Sequence, residues 1–407
     1  MIEDVTVVRT EPRSEVSRPV LLVLALLSAV APFSTDLYLP AFPQMTDELS
    51  TSTTTVQLTL TAFLLGITVG QVAFGPLSDR FGRRAPLVAG ALLCVAASVV
   101  AVFAPNVGVL IAARLVQGLG GAAGMVIGRA IVSDLAHGRA AASAFSLMMI
   151  VGGVAPVIAP LVGGFLVDPI GWRGILGVVL ALAAMMLVSV LGVIRETHPR
   201  FRGEVRQERP TPSGSLLSAG FLSWTLTFAF GFAVMMAYIS ASPFLYQDMI
   251  GLGSVGYGLA FGLNALGLMV VSGLAARLAA TRTPAGMTST GITGVLVSTT
   301  VFGLLVLAGV PAGWLAVPLF TGVSSLGLVM GNATALALSH AQHAAGRGSA
   351  ALGALQFGLA AVVSPLVSIR GENTAGPLAV VMFAAALIAF GAMVTARRTE
   401  HTEHSQP

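Results

Sequence analysis

The chain has 407 residues, of which 55% are hydrophobic and only 9% are charged, and its mean hydropathy is +0.89. This composition excludes an ordinary soluble domain, in which about a quarter of the residues are charged, and predicts a membrane protein. All 21 basic residues are arginine and the net charge is +4, which we attribute to membrane topology and anionic lipid rather than to nucleic-acid binding.

Apolar runs of about 20 residues, each long enough to cross a bilayer as a helix, fill nearly the whole chain. The predicted fold class is therefore an all-α membrane protein with twelve transmembrane helices in two six-helix bundles. The predicted spans are 19–42, 54–75, 85–104, 107–131, 142–167, 172–194, 215–245, 253–277, 286–309, 312–339, 348–369 and 375–396. The corresponding regions are a head (1–18), a first bundle (19–194), a linker (195–214), a second bundle (215–396) and a tail (397–407).

The arginines predict the orientation, because cytoplasmic loops carry an excess of positive charge. With the head, linker and tail in the cytoplasm, 18 arginines fall inside and two, Arg173 and Arg370, fall outside, while Arg114 lies within a span. The predicted location is the bacterial inner membrane, crossed several times, with both termini cytoplasmic. The inner arginines are Arg9, Arg13, Arg18, Arg80, Arg83, Arg84, Arg129, Arg139, Arg195, Arg200, Arg202, Arg206, Arg209, Arg277, Arg282, Arg347, Arg397 and Arg398.

The first span contains an acid, Asp36, in the stretch STDLYLPAFP between Pro32 and Pro40. It lies about 9 Å from the outer end of its span, and Arg114 of the fourth span lies about 10 Å from the same face, so the two side chains can meet. Burial favours the protonated acid whereas a nearby guanidinium favours the carboxylate, which makes a proton switch. A permanent ion pair or a helix cap is the alternative for Asp36, and snorkelling to the outer interface is the alternative for Arg114.

The string GPLSDRFGRR, residues 75–84, joins the second and third spans. Its two glycines permit turns with positive φ, its acid can cap a helix or pair with arginine, and its arginines hold the loop at the inner surface. The string resembles the G-x-L-x-D-R-x-G-R-R signature of the major facilitator superfamily. That resemblance implies a latch that forms in one access state and separates in the other, built from Gly75, Asp79, Arg80, Gly82, Arg83 and Arg84, with Asp134 as a partner.

Two further strings carry the same resemblance. RLVQG, Arg114 to Gly118, is similar to the family's R-x-x-Q-G motif, which implies proton coupling through Arg114 and Asp36. GGVAPVIAPLVGG, residues 152–164, places small residues four apart, a face on which another helix can pack closely, and two prolines that bend the helix. It resembles the antiporter motif of drug exporters, here built from Ala155, Pro156, Ala159, Pro160, Gly163 and Gly164.

Four strings are similar to the bicyclomycin and chloramphenicol resistance branch (Bcr/CflA-type) of that superfamily. They are STDLYLPAFP (34–43), YISASPFLYQ (238–247), GNATALAL (331–338) and GSAALGALQ (348–356). Relatives among drug exporters often carry a second acid at the position of Ser28, so neutral substrates are favoured over cationic ones. The ionisable residues between 215 and 396 fall at span ends or in loops. The candidate cavity residues, each of which packing alone can also explain, are Phe33, Tyr38, Gln117, Met148, Tyr238, Asn264, Asn332 and Gln356.

The sequence thus predicts a proton-coupled exporter of small, neutral, amphipathic drugs such as chloramphenicol or bicyclomycin, acting as a monomer in the lipid bilayer. It contains no nucleotide-binding loop, and the His pairs lack a cluster of other ligands, so we expect no cofactor and no metal, with the proton gradient as energy source. A metabolite permease or importer of the same fold is the alternative. An intramembrane enzyme or sensor would have only Asp36 and Arg114 as charged groups at membrane depth.

Overall fold

The computed structural model describes residues 17–136, 138–198, 201, 218–341, 345–368 and 375–404, and within these ranges the chain is helical, without β-strands. The predicted head and linker lie mostly outside the described residues. The helices are α1 (Arg18–Asp36), α2 (Phe42–Glu48), α3 (Thr53–Phe81), α4 (Arg84–Val102), α5 (Val107–Leu135), α6 (Gly138–Val193), α7 (Ala219–Phe244), α8 (Ser254–Leu278), α9 (Pro284–Leu307), α10 (Ala316–Ser325), α11 (Met330–Ser339), α12 (Ala345–Leu366) and α13 (Gly376–His404).

The described residues contain eleven apolar stretches long enough to cross a membrane. One of them, Ser143–Val193, has 51 residues and reverses direction at Gly171, whose φ of 65° and ψ of 175° are not helical. Glycine has no Cβ and adopts positive φ readily, which permits the reversal. Counted as two crossings, this stretch completes twelve spans, and the predicted all-α architecture is confirmed.

Two predicted spans differ in detail from the observed helices. The first span was expected to run to residue 42, but α1 ends at Asp36 and a 3-10 turn follows at Leu39–Ala41. Pro40 explains this end, because it has no N–H to donate to the carbonyl of Asp36 four residues earlier. The tenth span is interrupted by a 3-10 turn at Leu326–Leu328, where a Cβ on Gly327 would lie 2.7 Å from the carbonyl oxygen of Leu268 in α8.

The helix bundle has two ends, called the linker side and the far side. The linker side is where α6 ends, and Glu196, three residues beyond that end, contacts the turn between α3 and α4 there. The far side is the opposite end, where Trp172, just after the reversal of α6, donates through its backbone N–H to Gln44 and through its ring N–H to Glu48. These contacts fix α2 against α6 on the far side.

Helices before residue 195 pack mainly on one another, as do helices after residue 218, and these two groups are called the first half and the second half. The halves meet where α3 packs on α12 and α6 packs on α8. α7 and α8 also contact the 3-10 turn that follows α1.

The far side is closed by hydrogen bonds between the halves. The fully buried Gln57 of α3 donates from Nε2 to the carbonyl of Ser240 at 2.9 Å and to the hydroxyl of Ser368 at 2.7 Å. Three more bonds join the halves there: Thr54 to the Ser368 carbonyl at 2.8 Å, Gln247 to the Pro40 carbonyl at 3.1 Å, and Ser254 to the Asp168 carboxylate at 2.8 Å.

Candidate functional site

Arg114 is the most deeply buried charged residue of the first half, with 0% of its surface exposed. Its Nη1 donates to Oε1 of Gln117 at 2.5 Å, and its Nη2 donates to the carbonyl oxygen of Ser34 at 2.7 Å. The guanidinium carbon lies 4.4 Å from the ring centroid of Tyr38 and 4.3 Å from that of Phe63, distances typical of cation–π contacts. The snorkelling alternative is therefore wrong, because the side chain remains inside the protein.

The end of α1 explains why a backbone carbonyl receives this arginine. Ser34 lies in the last turn of α1, where carbonyl groups lack an N–H donor from the next helical turn. The carbonyl end of a helix also carries partial negative charge, which attracts a cation. Ser34 thus acts as a neutral counterpart for Arg114, and only the Nε of Arg114 is left buried without a partner.

A chain of hydrogen bonds extends from Arg114 into α4. Gln117 donates from Nε2 to the hydroxyl of Ser98 at 2.7 Å, and Ser98 donates to the carbonyl of Cys94 at 2.7 Å. The hydroxyl of Tyr38, on the other side of the guanidinium, bonds with the hydroxyl of Thr59 at 3.1 Å. Gln117 and Tyr38 were predicted as cavity residues, but in this conformation they hold Arg114 in place.

Asp36 is also buried, with 4% of its surface exposed, and is two residues from Ser34 in the same turn. The depth predicted for it is correct to within a turn, since Arg114 reaches Ser34. The expected pairing of Asp36 with Arg114 is absent from this conformation, in which the guanidinium of Arg114 donates to Gln117 and to the carbonyl of Ser34. The backbone carbonyl of Ser34 accepts the hydrogen bond from Arg114 that the Asp36 carboxylate was expected to accept.

Some of the residues predicted to form a latch cluster around Arg83, at the start of α4 on the linker side. Its Nε donates to Asp134 at 2.8 Å, and its Nη1 donates to Asp79 at 2.6 Å and to the hydroxyl of Ser78 at 2.8 Å. The predicted contact with Asp134 is thereby confirmed. Burial opposes the charged form of Arg83, but the hydrogen bonds to Asp134 and Asp79 outweigh it and raise the pKa of Arg83.

Glu196 completes this cluster and was missed in the sequence. Its carboxylate accepts the backbone N–H groups of Arg83 at 2.8 Å, Arg84 at 3.1 Å, Thr197 at 3.0 Å and His198 at 2.8 Å. Partial burial acts to raise the pKa of Glu196, but these four donors reverse the effect and lower it. The signal available in the sequence was an acid directly after an apolar span, a place from which it can reach the N-terminus of a neighbouring helix.

The two glycines of the motif have different roles. Gly82 has a φ of 84°, as predicted for a turn, and a Cβ there would lie 2.5 Å from Oε2 of Glu196. Gly75 was also expected in a turn, which is wrong: it lies inside α3, because that helix continues six residues beyond the predicted span, and a Cβ there would contact nothing within 4 Å. The motif's other arginines lie at its edges, Arg80 over the ring of Phe81 and Arg84 bonded to the carbonyl of Leu191 at 3.4 Å.

The small-residue face of α6 packs as predicted. Ala155 and Ala159 are buried, and a Cβ on Gly163 would lie 2.0 Å from the carbonyl oxygen of Leu37, just beyond α1. A Cβ on Gly164 would lie 2.5 Å from the carbonyl oxygen of Ser254, in the second half. Pro156 and Pro160 lie within continuous helix, and Gly171 is the non-helical residue of α6. This face therefore brings α6 against α1 and α8 together.

The other candidate cavity residues lie in three environments. Met148 is buried in the core of the first half, where its Cε lies 3.5 Å from the position of a Cβ on Gly128. Asn264 donates to the hydroxyl of Tyr246 at 3.1 Å, and the ring of Tyr238 stacks on that of Phe261 with centroids 5.5 Å apart. The remaining three candidates, all half-buried, are Phe33, Asn332 and Gln356.

Comparison with protein families gives a match over most of the chain. A family model described as Major Facilitator Superfamily matches residues 24–365. The chain is 34% identical over 371 residues to a Bacillus subtilis (strain 168) protein named uncharacterized MFS-type transporter YdgK, covering 90% of this chain and 92% of that protein. It is 28% identical over 382 residues to a bicyclomycin resistance protein homolog of Haemophilus influenzae, covering 90% and 93% of the two chains.

Comparison with solved structures shows the fold. A crystal structure of a D-xylose-proton symporter superposes with a TM-score of 0.73 at 16% identity, covering 91% of this chain and 97% of that one. At this identity the likeness concerns the arrangement of helices and carries no information on the substrate.

Proposed function

Because the chain belongs to the Major Facilitator Superfamily, whose members are transporters rather than enzymes, we propose that it exports small, neutral, amphipathic drugs in exchange for protons. The relative named for bicyclomycin resistance supports a drug as substrate. The distribution of arginine supports a cytoplasmic linker side, and hence both termini in the cytoplasm of a bacterium and the far side facing outward. In this proposal the chain works as a monomer in the inner membrane, and the proton gradient is its only energy source.

The observation that carries the proposal is the contact between the buried guanidinium of Arg114 and the last turn of α1, which also bears Asp36. An acid and a guanidinium cation in neighbouring turns within a membrane are rare and by default functional. Arg114 is held by neutral groups, so its charge is not neutralised by an ion pair. It therefore remains able to attract the Asp36 carboxylate when the last turn of α1 moves.

In the proposed cycle, the Ser34 carbonyl and the Asp36 carboxylate compete for the guanidinium of Arg114. With the far side closed, Asp36 lacks the guanidinium as a partner, and a carboxyl group in that situation favours its protonated form. Drug binding between the halves displaces the last turn of α1 and exchanges the Ser34 carbonyl for the Asp36 carboxylate at Arg114. The proton then leaves Asp36 through the space between the halves toward the linker side, and the halves rock to release the drug on the far side.

Import by the same fold is the second candidate, since the superposed symporter shares the helix arrangement. The two directions differ in how a pH gradient acts. An exporter that exchanges drug for protons accumulates drug in inside-out vesicles acidified within, whereas an importer that carries both together accumulates it in right-side-out vesicles that are more acidic outside.

The test uses the full chain reconstituted in proteoliposomes, with labelled chloramphenicol or bicyclomycin as the probe. The parent should accumulate drug on the acidic side of an imposed pH gradient. Asp36→Asn should lose this gradient-driven accumulation but retain exchange of labelled for unlabelled drug, which needs no net proton movement. Asp47→Asn, which changes an exposed acid on the far side, is the matched control and should behave as the parent.

Three outcomes would contradict the proposal. Parent transport that ignores the pH gradient would remove proton coupling. Gradient-driven accumulation by Asp36→Asn at the parent's level would remove the role of Asp36. A lack of drug exchange by the well-folded parent, for every neutral drug offered, would remove the substrate class.

A further inference from the structure

Arg129 is an arginine of a membrane-spanning helix that the function above does not use. We expected it on the inner surface with the loop arginines, but α5 continues to Leu135, and Arg129 lies six residues, about 9 Å, before its end. Its side chain is exposed, and its Nε donates to the carbonyl oxygen of Met125 at 3.0 Å. Arginine within a membrane-spanning helix is strongly unfavourable unless it faces water or a partner.

The face of α5 that carries Arg129 is turned toward the second half. Met125 lies one turn earlier, and residues four apart share a helix face. Met125 packs against a small cluster of Ala31, Phe63 and Ile67, which Phe357 of α12 also contacts. Arg129 therefore lies next to the contact between the halves, displaced toward the linker side.

The direction of the side chain separates a cavity position from snorkelling. A snorkelling arginine reaches for the nearer membrane surface, which here is the linker side. Arg129 instead donates from Nε to a carbonyl of its own helix one turn earlier, which holds its side chain against α5. Its exposed guanidinium is open to water or to a bound molecule beside the contact between the halves.

No acid neutralises Arg129 among the described residues. Asp134, five residues later, is paired with Arg83, and Asp36 is buried near the far side. In the second half, α7 and the part of α12 from Gly348 onward contain no Asp, Glu, Arg or His. Arg129 is thus a cation without an acidic partner beside the contact between the halves, among the residues that the structure describes.

We propose that Arg129 determines substrate charge: it repels cationic amphipaths from the space between the halves and donates hydrogen bonds to acceptor-rich neutral or anionic ones. Guanidinium groups have five donors in a fixed geometry that suits carbonyl, nitro, sulfonyl and carboxylate oxygens. At low effective dielectric its repulsion of a like charge is much stronger than at an open surface. The inference rests on the proposed drug export and adds the residue that sets its selectivity.

The experiment compares a cation, ethidium, with a neutral drug, chloramphenicol, in exchange assays on the reconstituted full chain. Arg129→Glu should raise ethidium exchange roughly tenfold or more relative to the parent, since it reverses the charge near the substrate. Arg129→Gln should raise it less, and Arg129→Lys should keep the parent's preference. Arg282→Glu, which makes the same charge reversal at an exposed position between α8 and α9, is the control and should leave the preference unchanged.

The outcomes distinguish this inference from the function it builds on. If the parent exchanges neither chloramphenicol nor any other neutral drug offered, the proposed drug export fails. If the parent exchanges chloramphenicol but Arg129→Glu, folded and still active on that drug, gains no ethidium exchange, the role of Arg129 fails alone. An equal gain in Arg282→Glu would assign the effect to surface charge and would also overturn the inference. If Arg129→Glu is not recovered folded, the ratio of the two exchange rates in Arg129→Gln decides, and an unchanged ratio contradicts the inference.

Discussion

Arg114 and Arg83 are both multiply bonded arginines of the first half, but their partners differ in charge. Arg83, on the linker side, bonds to two carboxylates, whereas Arg114, at membrane depth, bonds to an amide and a backbone carbonyl and lies between two aromatic rings. A cation already paired with two acids is suited to holding helices together. A cation satisfied by neutral groups retains its attraction for an acid and is suited to switching.

The largest effect is expected for Arg114→Gln, which removes the cation and leaves the Ser34 carbonyl without its donor. Gradient-driven drug transport should fall roughly a hundredfold, as when one member of a buried charged contact is lost. Arg114→Lys keeps the charge but lacks the planar fork that reaches both Ser34 and Gln117. Its transport rate should therefore lie between that of the parent and that of Arg114→Gln. Transport in proteoliposomes measures both, and parent-like transport by Arg114→Gln would show that Arg114 does not switch.

Arg83→Leu tests the holding role through stability. It leaves Asp134, whose side chain is 7% exposed, as an unpaired buried carboxylate, which should lower the free energy of unfolding by about 3 kcal/mol. Asp79, 68% exposed, bonds to the same arginine, so Asp79→Asn should change it by less than about 1 kcal/mol. Thermal unfolding in detergent measures both, and a similar loss in the two variants would contradict the distinction between the two acids.

Asp79→Asn should nevertheless impair transport if the motif acts as a latch in the other access state. The expected result is a nearly unchanged unfolding temperature with a roughly tenfold slower drug transport, a latch contact being worth on the order of 1–3 kcal/mol. Unchanged transport would leave Asp79 as a surface residue of the Arg83 cluster and nothing more.

Gly82→Ala should have a smaller effect on stability, about 1–2 kcal/mol, because alanine is strained at a φ of 84° and its Cβ would clash with Glu196. Gly75→Ala is the matched control from the same motif and should be neutral or slightly stabilising, since alanine favours the helix. Unfolding temperatures of the two variants give the comparison. Equal losses would mean that the positive φ of Gly82 is not what the motif requires.

Glu196 should give the smallest effect, and one that depends on pH. Its pKa is lowered in the folded chain, so its stabilising contribution is complete above its ordinary pKa of 4.5 and is lost as pH falls through the lowered value. Glu196→Gln should therefore lower the unfolding temperature slightly at pH 7 and differ from the parent less and less as the pH decreases below 4.5. A difference that is independent of pH in this range would contradict the charge-based role.

The sequence predicted the number of spans because a run of about 20 apolar residues is detectable without knowledge of packing. It also predicted that Asp134 contacts Arg83 or Arg84, since all three lie at span ends on one side, and the structure shows Arg83 as the partner. It could not predict the partners of Arg114 and Glu196, because backbone carbonyls and N–H groups are present at every position and have no signature. Arg129 was misplaced for a related reason: hydropathy alone does not show that α5 continues to Leu135.

The closure made by Gln57, Thr54, Gln247 and Ser254 on the far side has a consequence for the environments in which the protein can work. Each of these donors is an uncharged side chain, so dissolved ions have little electrostatic attraction to screen there. We therefore expect the outward barrier to hold equally well in dilute and in concentrated surroundings, so that a cell moving between fresh and saline water would not leak through it.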